Sequence, residues 1–177
     1  MLGGVALFIV IVGLITKTNR GETTILSPYL HINQMGVNTP APTSLPNLKK
    51  IIIGNTTIMV SLANTPQTRQ KGLSGVTNMP TNEGMLFVFD SKNLTPEMAR
   101  FWMKDMKIPL DFIWISNGKV VEITPNVPAP ASNTPDSQLK IYQPNENIDY
   151  VLEVNAGFAG KNNIKIGDPV DLTMLGN

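Results

Sequence analysis

Residues 110–123 read LDFIWISNGKVVEI, two runs rich in β-branched and aromatic residues on either side of Asn117-Gly118. Asn-Gly between such runs is the strongest short-range sign of a two-residue type I′ hairpin, because both central positions need a positive φ. With that turn, Ser116 faces Lys119, Trp114 faces Val121 and Phe112 faces Ile123 on one side of the ladder. The other side carries Ile115 opposite Val120, Ile113 opposite Glu122 and Asp111 opposite Thr124. Both sides are apolar near the turn, so the hairpin is expected to be covered on both faces. Asp111 and Glu122 become diagonal neighbours in this register. A carboxylate pair is the minimum equipment of a glycosidase, yet alternation places such pairs in most domains, and the structural reading is favoured.

The stretch just before it, residues 101–115 (FWMKDMKIPLDFIWI), sets Lys104 and Asp111 inside an apolar and aromatic segment. An ion within a core must find a partner or give up its charge. With Trp102 beside them and Arg69 nearby, these residues form the candidate ligand-binding set: Arg69, Trp102, Lys104 and Asp111. Two readings stay open. Lys104 and Asp111 are a ligand-binding or proton-transfer pair, or they are a structural salt bridge that anchors the intervening loop, since structural ion pairs also perturb pKa values. A pocket connected to solvent beside both residues would favour the first, a sealed core the second.

Further out, Lys50 to Leu62 contains two β-rich runs separated by Gly54-Asn55, a second hairpin signal. Thr65 caps a short helix that begins at Pro66 and ends at Gly72. Gly84 to Phe89, Phe101 to Met103 and Tyr150 to Val154 have strand character, Gly157 to Asn163 is a short helix, and Ile164 to Leu172 is expected to be a strand pair turned at Gly167-Asp168. Pro125 to Pro144 reads as a long loop pinned at its far end by Ile141 and Tyr142, a candidate lid. Short strands, two short helices and no sustained helical period predict a mainly β (α+β), small, compact, barrel-like domain over residues 49–175.

Met1 to Ile15 is an uncharged apolar run. As a helix it covers only about 23 Å of a hydrocarbon core about 30 Å thick. No basic residue precedes it and no clean small-x-small cleavage site follows, so residues 1–16 are expected to form an uncleaved membrane anchor. Residues 17–48, rich in Pro, Thr and Asn, read as a flexible tether. Lys17 and Arg20 follow the run, which by the positive-inside rule alone would keep the domain cytoplasmic. A basic segment upstream would reverse that, and an extracytoplasmic domain at the cell membrane is the expectation.

Composition narrows the function. Charged residues make up 15% of the chain and the net charge is +1, with no basic block longer than Lys49-Lys50, so nucleic acid is not an expected partner. With no cysteine, disulfides, thiolate metal sites and a cysteine nucleophile are excluded. The single histidine, His31, sits in the tether and leaves little basis for a serine–histidine triad. Met79, Met85, Met98, Met103 and Met106 crowd the middle of the chain. Thioethers can select Cu(I), but without His or Cys beside them they read as flexible core filler, and no cofactor or metal is expected.

Several elements together resemble a known family, domain-of-unknown-function family 192. They are Arg69 with Gly72-Leu73 and Gly75; Gly84 to Phe87 with Phe89; Phe101 to Lys104; Ile108 to Asp111 with Ile113; Val127-Pro128; and Tyr150 to Glu153 with Gly157. The resemblance runs in order from about residue 58 to 172 and implies a compact β-rich domain, often behind a signal or anchor segment, with no established biochemical activity. Val76 stands where the family often has a basic residue, Asp105 where Asn is common, and residues 127–130 (VPAP) open a loop that carries no cysteine. The expected function is a monomeric, membrane-tethered binding module for a small polar ligand, an envelope component or a protein partner, more readily a non-enzyme than an enzyme. The alternatives are a hydrolase or transferase using Asp111 as base with Lys104 as electrostatic stabiliser, and a Met-rich copper-binding protein.

Overall fold

The computed structural model describes residues 41–90 and 93–176. The expected anchor, and the tether up to residue 40, lie outside the described residues. Within them the chain runs through β1 (Lys49–Ile53), β2 (Thr56–Ala63), α1 (Pro66–Lys71), β3 (Glu83–Val88), β4 (Phe101–Trp102), β5 (Leu110–Ser116), β6 (Lys119–Val127), β7 (Ile141–Tyr142), β8 (Tyr150–Asn155), α2 (Phe158–Lys161) and β9 (Val170–Asp171). No helix among them is long and apolar enough to cross a membrane.

Local chemistry accounts for most of these boundaries. β1 turns into β2 at Gly54, whose φ of 55° L side chains rarely adopt. The Thr65 hydroxyl accepts from the Thr68 N–H, the Thr68 hydroxyl accepts from the Thr65 N–H, and Pro66 fills the first helical position of α1. This reciprocal cap satisfies donors that a helix start leaves free. At Gly84 an added Cβ would stand 2.5 Å from the Glu153 carbonyl oxygen. Only glycine lets β3 approach β8 this closely.

Seven strands form one sheet in the order β6-β5-β8-β3-β2-β1-β9, with β2 and β3 parallel and the other pairs antiparallel. Its two ends meet. While β9 pairs with β1, the residues around it bond to the start of β6: the Gly167 N–H donates to the Val120 carbonyl at 2.8 Å, and the Val120 N–H to the Asp168 carbonyl at 3.0 Å. The sheet is therefore a nearly closed, barrel-like structure, as expected from the sequence. These bonds also correct the reading of residues 164–172 as a hairpin. Only Val170–Asp171 is a strand, because the segment before it spends its backbone groups on β6.

Alternation along the strands builds two cores. Ile51, Ile58, Leu86, Ile113, Ile115, Leu152 and Val154 fill one side together with Phe158 and Ala159 of α2. Phe87, Phe112, Trp114 and Val151 face the other, under Leu73, Met79, Leu94, Met103 and Met106 from the connections. All seven residues of β5 are buried, as a hairpin covered on both faces requires. The two-stranded β4–β7 ribbon closes the second core: Phe101 lies 5.0 Å from Phe87 and 5.6 Å from Trp114, edge-on in each case, and Tyr142 lies 5.6 Å from Phe112.

The hairpin register departs from the sequence reading in one respect. Ser116 does face Lys119 and Ile115 does face Val120, but the ladder then shifts, so that Trp114 faces Glu122, Ile113 faces Ile123 and Phe112 faces Thr124. A second shift precedes Leu110, which faces Val127. Extra residues on β6 bend it around the barrel, and each moves the following side chains to the opposite face. Pro125 thus lies within β6, and the loop begins at Pro128. At the other edge, Ser44 Oγ and the Leu45 N–H donate to the two oxygens of Glu83 at 2.6 and 2.7 Å, and the Thr43 N–H donates to the Asn78 carbonyl at 3.2 Å. Residues 43–45 are therefore fastened to the domain.

Candidate functional site

Lys104 and Asp111 do not form a pair. Asp111 is fully buried, and three backbone donors surround it: the Asn126 N–H at 2.8 Å and the Gly157 and Ala159 N–H groups at 2.9 Å each. The shift in β6 brings in the first donor and the turn into α2 the other two. Asp111 thus staples β5, β6 and α2 from inside the fold, with no access to solvent. That position removes it from the candidate site and leaves the hydrolase or transferase reading without an open base. Glu122 is not its neighbour either, since it faces Trp114 and accepts from the backbone and side-chain nitrogens of Asn145 at 2.8 and 2.9 Å.

Lys104 is partly exposed and forms an ion pair with Asp136 from the loop, which holds its pKa above the ordinary lysine value through their hydrogen bond. Its Nζ lies 5.6 Å from the centre of the Trp102 ring. Lys104, Trp102 and Arg69 are brought together as three residues of one groove of about 730 Å³. One wall is α1 with its following turn, including Lys71 and Ser74; the other is the Met98–Met106 segment. The walls are tied by Ser74 Oγ donating to the Lys104 carbonyl and the Gly75 N–H donating to the Asp105 carbonyl, both at 3.0 Å. Asp105 makes that junction at φ 58°, a left-handed conformation in which Asn and Asp are the tolerated non-glycine residues. This explains the position at which the resemblance expects Asn.

Among the cations of the groove, Arg69 is already engaged. Its Nη1 donates to the Val88 carbonyl at 2.8 Å, its Nη2 to Asp90 at 3.0 Å, and its guanidinium lies 5.8 Å from the centre of the Phe89 ring. Lys71 and Arg100 are exposed and have no ion pair among the described residues. Phe87, Phe101 and Trp102 supply apolar surface, and Trp102 and Met98 remain exposed at the rim.

Glu153 of β8 completes the lining. It pairs with Met85 of β3 and Phe112 of β5, and only 5% of it is exposed. No hydrogen bond or ion pair among the described residues reaches its carboxyl, and burial alone pushes its pKa up to about 8. Burial thus favours the neutral form, which offers one donor and one acceptor to the groove. Residues 150–155 read YVLEVN, an ionisable group in an apolar strand, and that pattern marks Glu153 by the same rule that singled out Lys104 and Asp111.

The crowded methionines serve packing. Met79, Met85, Met103 and Met106 are buried in the aromatic core, and Met98 is exposed. Among the described residues no group of three or more His, Cys, Asp or Glu side chains is placed to hold a metal ion.

Two solved structures share this architecture. A crystal structure of a candidate transcription regulator from Sinorhizobium meliloti 1021 is 28% identical with a TM-score of 0.59, over 70% of this chain and 92% of that one. A protein of unknown function from Novosphingobium aromaticivorans DSM 12444 is 26% identical with a TM-score of 0.61, over 75% and 94%. Comparison with curated proteins gives no match. Residues 49–172, the whole barrel with its groove, match the family described as uncharacterized ACR, and the chain belongs to this domain-of-unknown-function family 192.

Proposed function

We propose that the domain is a non-enzymatic binding module, held at the outer side of a membrane by residues 1–16, whose groove takes a small polar ligand or a corresponding group on an envelope polymer or partner protein. The observation that carries this reading is Glu153, a nearly buried carboxyl at the groove with no partner among the described residues. Its carboxyl oxygens are not sealed from the groove, so a ligand entering there can hydrogen-bond to them. A volume of about 730 Å³ lies in the range of small-molecule sites, and the mixture of aromatic surface with a few polar groups fits the same class. Transcription regulation, the role named for the Sinorhizobium protein, finds little support in this chain, whose charge of +1 supplies no electrostatic footprint for nucleic acid.

A screen of small polar fragments against the full chain by saturation-transfer NMR is expected to return binders that Glu153→Leu abolishes. Binders indifferent to that substitution, or none at all, would remove the groove as the site. The tether is tested by fractionation: the full chain stays with membranes after carbonate washing, and a chain lacking residues 1–16 is released.

A further inference from the structure

We propose that the groove is selective for amphiphilic organic anions, with a flat apolar body of one or two rings against Phe87, Phe101 and Trp102 and an anionic group held by Lys71 and Arg100, over the Glu153 carboxyl. This rests on the groove being a ligand site and adds the class of ligand. Charge complementarity selects the sign. Of the cations lining the groove, Arg69 and Lys104 already have carboxylate partners, while Lys71 and Arg100 have none among the described residues. Partnerless cations beside the exposed Trp102 ring and the edges of Phe87 and Phe101 that line the groove favour a molecule that is apolar at one end and negative at the other.

Glu153 decides when that anion is accepted. Its neutral form donates a hydrogen bond to an anion or to a hydroxyl on the same ligand; its ionised form repels the anion. With the carboxyl pushed up to about 8 by burial, the accepting form prevails at neutral pH. The charged groups that line the same groove are Arg69 and Lys71 on the α1 wall and Arg100, Lys104 and Asp105 on the opposite wall. Its strand neighbours Met85 and Phe112 carry no charge. Tyr142, packed on Phe112, has its pKa raised by burial above 10.0 and stays neutral through the same range.

Three probes of one shape test this with the full chain: naphthalene-2-sulfonate, its uncharged sulfonamide and 2-naphthylmethylammonium, measured by isothermal titration calorimetry from pH 6.5 to 9. The sulfonate does not titrate in that range. It is expected to bind one per chain and more tightly than the sulfonamide, with its Kd rising about tenfold or more toward pH 9. Glu153→Gln removes that rise and separates Glu153 from the other charged groups. Lys71→Gln combined with Arg100→Gln weakens the sulfonate by about fivefold and leaves the sulfonamide unchanged. Both of those side chains are exposed, so the fold tolerates their loss. Equal binding of sulfonate and sulfonamide, preference for the ammonium, or a sulfonate Kd that ignores Glu153→Gln would overturn the anion class while fragments lost in Glu153→Leu still uphold the groove. Failure of all three probes refutes the inference, and it refutes the binding-module reading as well only when the fragment screen is also empty.

Discussion

Asp111 and Glu153 stand on neighbouring strands, in adjacent rungs of the β5–β8 ladder and therefore on opposite faces of the sheet. Both are buried acids, and they have opposite surroundings. Asp111 accepts from three backbone N–H groups, and Glu153 accepts from none among the described residues. Donors that converge on a carboxylate repay its desolvation and fix the backbone that supplies them. A carboxyl without such donors, open at its tip to the groove, is left to solvent or to whatever enters. Burial thus identifies a position where an acid matters, whereas the count of donors separates an acid that holds the barrel together from one left facing the groove.

The largest effect expected from this contrast is at Asp111. In Asp111→Ala, three backbone N–H groups lose their acceptor, that of Ala159 deep inside the fold, and a loss of about 3–5 kcal/mol is expected. Asp111→Asn keeps one oxygen but turns an NH₂ group toward the Ala159 N–H, so it is also strongly destabilising. Urea denaturation measures both as a lower midpoint at unchanged slope. Because Lys104 bonds to Asp136 and not to Asp111, a double-mutant cycle between Lys104 and Asp111 is expected to be additive. Coupling between them, or a mild Asp111→Ala, would break the comparison at its structural end.

Much of the fold was legible because local chemistry and tertiary demands agree. Asn117-Gly118 set the turn, Thr65-Pro66 set the start of α1, and the two apolar faces of residues 110–116 announced a strand covered on both sides. The site was legible only in part. Arg69, Trp102 and Lys104 do share a groove, but Asp111 left it because the shifts in β6 carry Asn126 onto it, and extra residues in a strand leave no local mark on the sequence. Closure of the barrel through residues 167–170 was hidden for a related reason: those bonds run to a strand almost fifty positions earlier. Glu153 carried the right mark, an ionisable residue in an apolar strand, yet sequence alone does not count the donors around it.

The next effect is a pH dependence with a defined sign. Glu153 rises from an ordinary 4.5 to about 8 in the folded chain. Between those values the folded state keeps a proton that the unfolded state has lost, so the contribution of this group makes the protein less stable as pH rises through that window, by about tenfold in the folding equilibrium per unit. Above about pH 8 both states are ionised and the loss levels off. Glu153→Gln removes this slope, so the variant is expected to overtake the wild type in stability as pH increases and to be clearly more stable at pH 8.5. Parallel stability curves from pH 5 to 9 would mean that Glu153 already has a partner, and the contrast with Asp111 would vanish.

A third buried acid sharpens the comparison from the outside. Glu83 is 6% exposed, and the donors it receives come from Ser44 and Leu45. A chain beginning at Thr43 retains both, whereas one beginning at Leu48 leaves the carboxylate as bare of donors as Glu153. The shorter chain is expected to be less stable by about 1–3 kcal/mol, measured by urea denaturation of the two proteins side by side. Equal stability would show that a buried carboxylate here tolerates the loss of its donors, which would weaken the inference drawn from Glu153.

The smallest effect is expected at Lys104, where an exposed ion pair stands in place of the buried one that the sequence suggested. Both partners are substantially in water, 39% and 54% exposed, and such pairs add little to stability and are screened by salt. Lys104→Met should therefore leave the urea midpoint nearly unchanged. Its consequence is local. Asp136 lies in the loop between β6 and β7, whose far end is fixed by the packing of Tyr142 on Phe112. Without the Lys104 contact, amide exchange should quicken across residues 129–140 and remain slow at Tyr142, and high salt should bring the wild type to the same pattern. A large fall in midpoint, or faster exchange that spreads through β7 into β5, would show that this pair bears on the core and not on the loop.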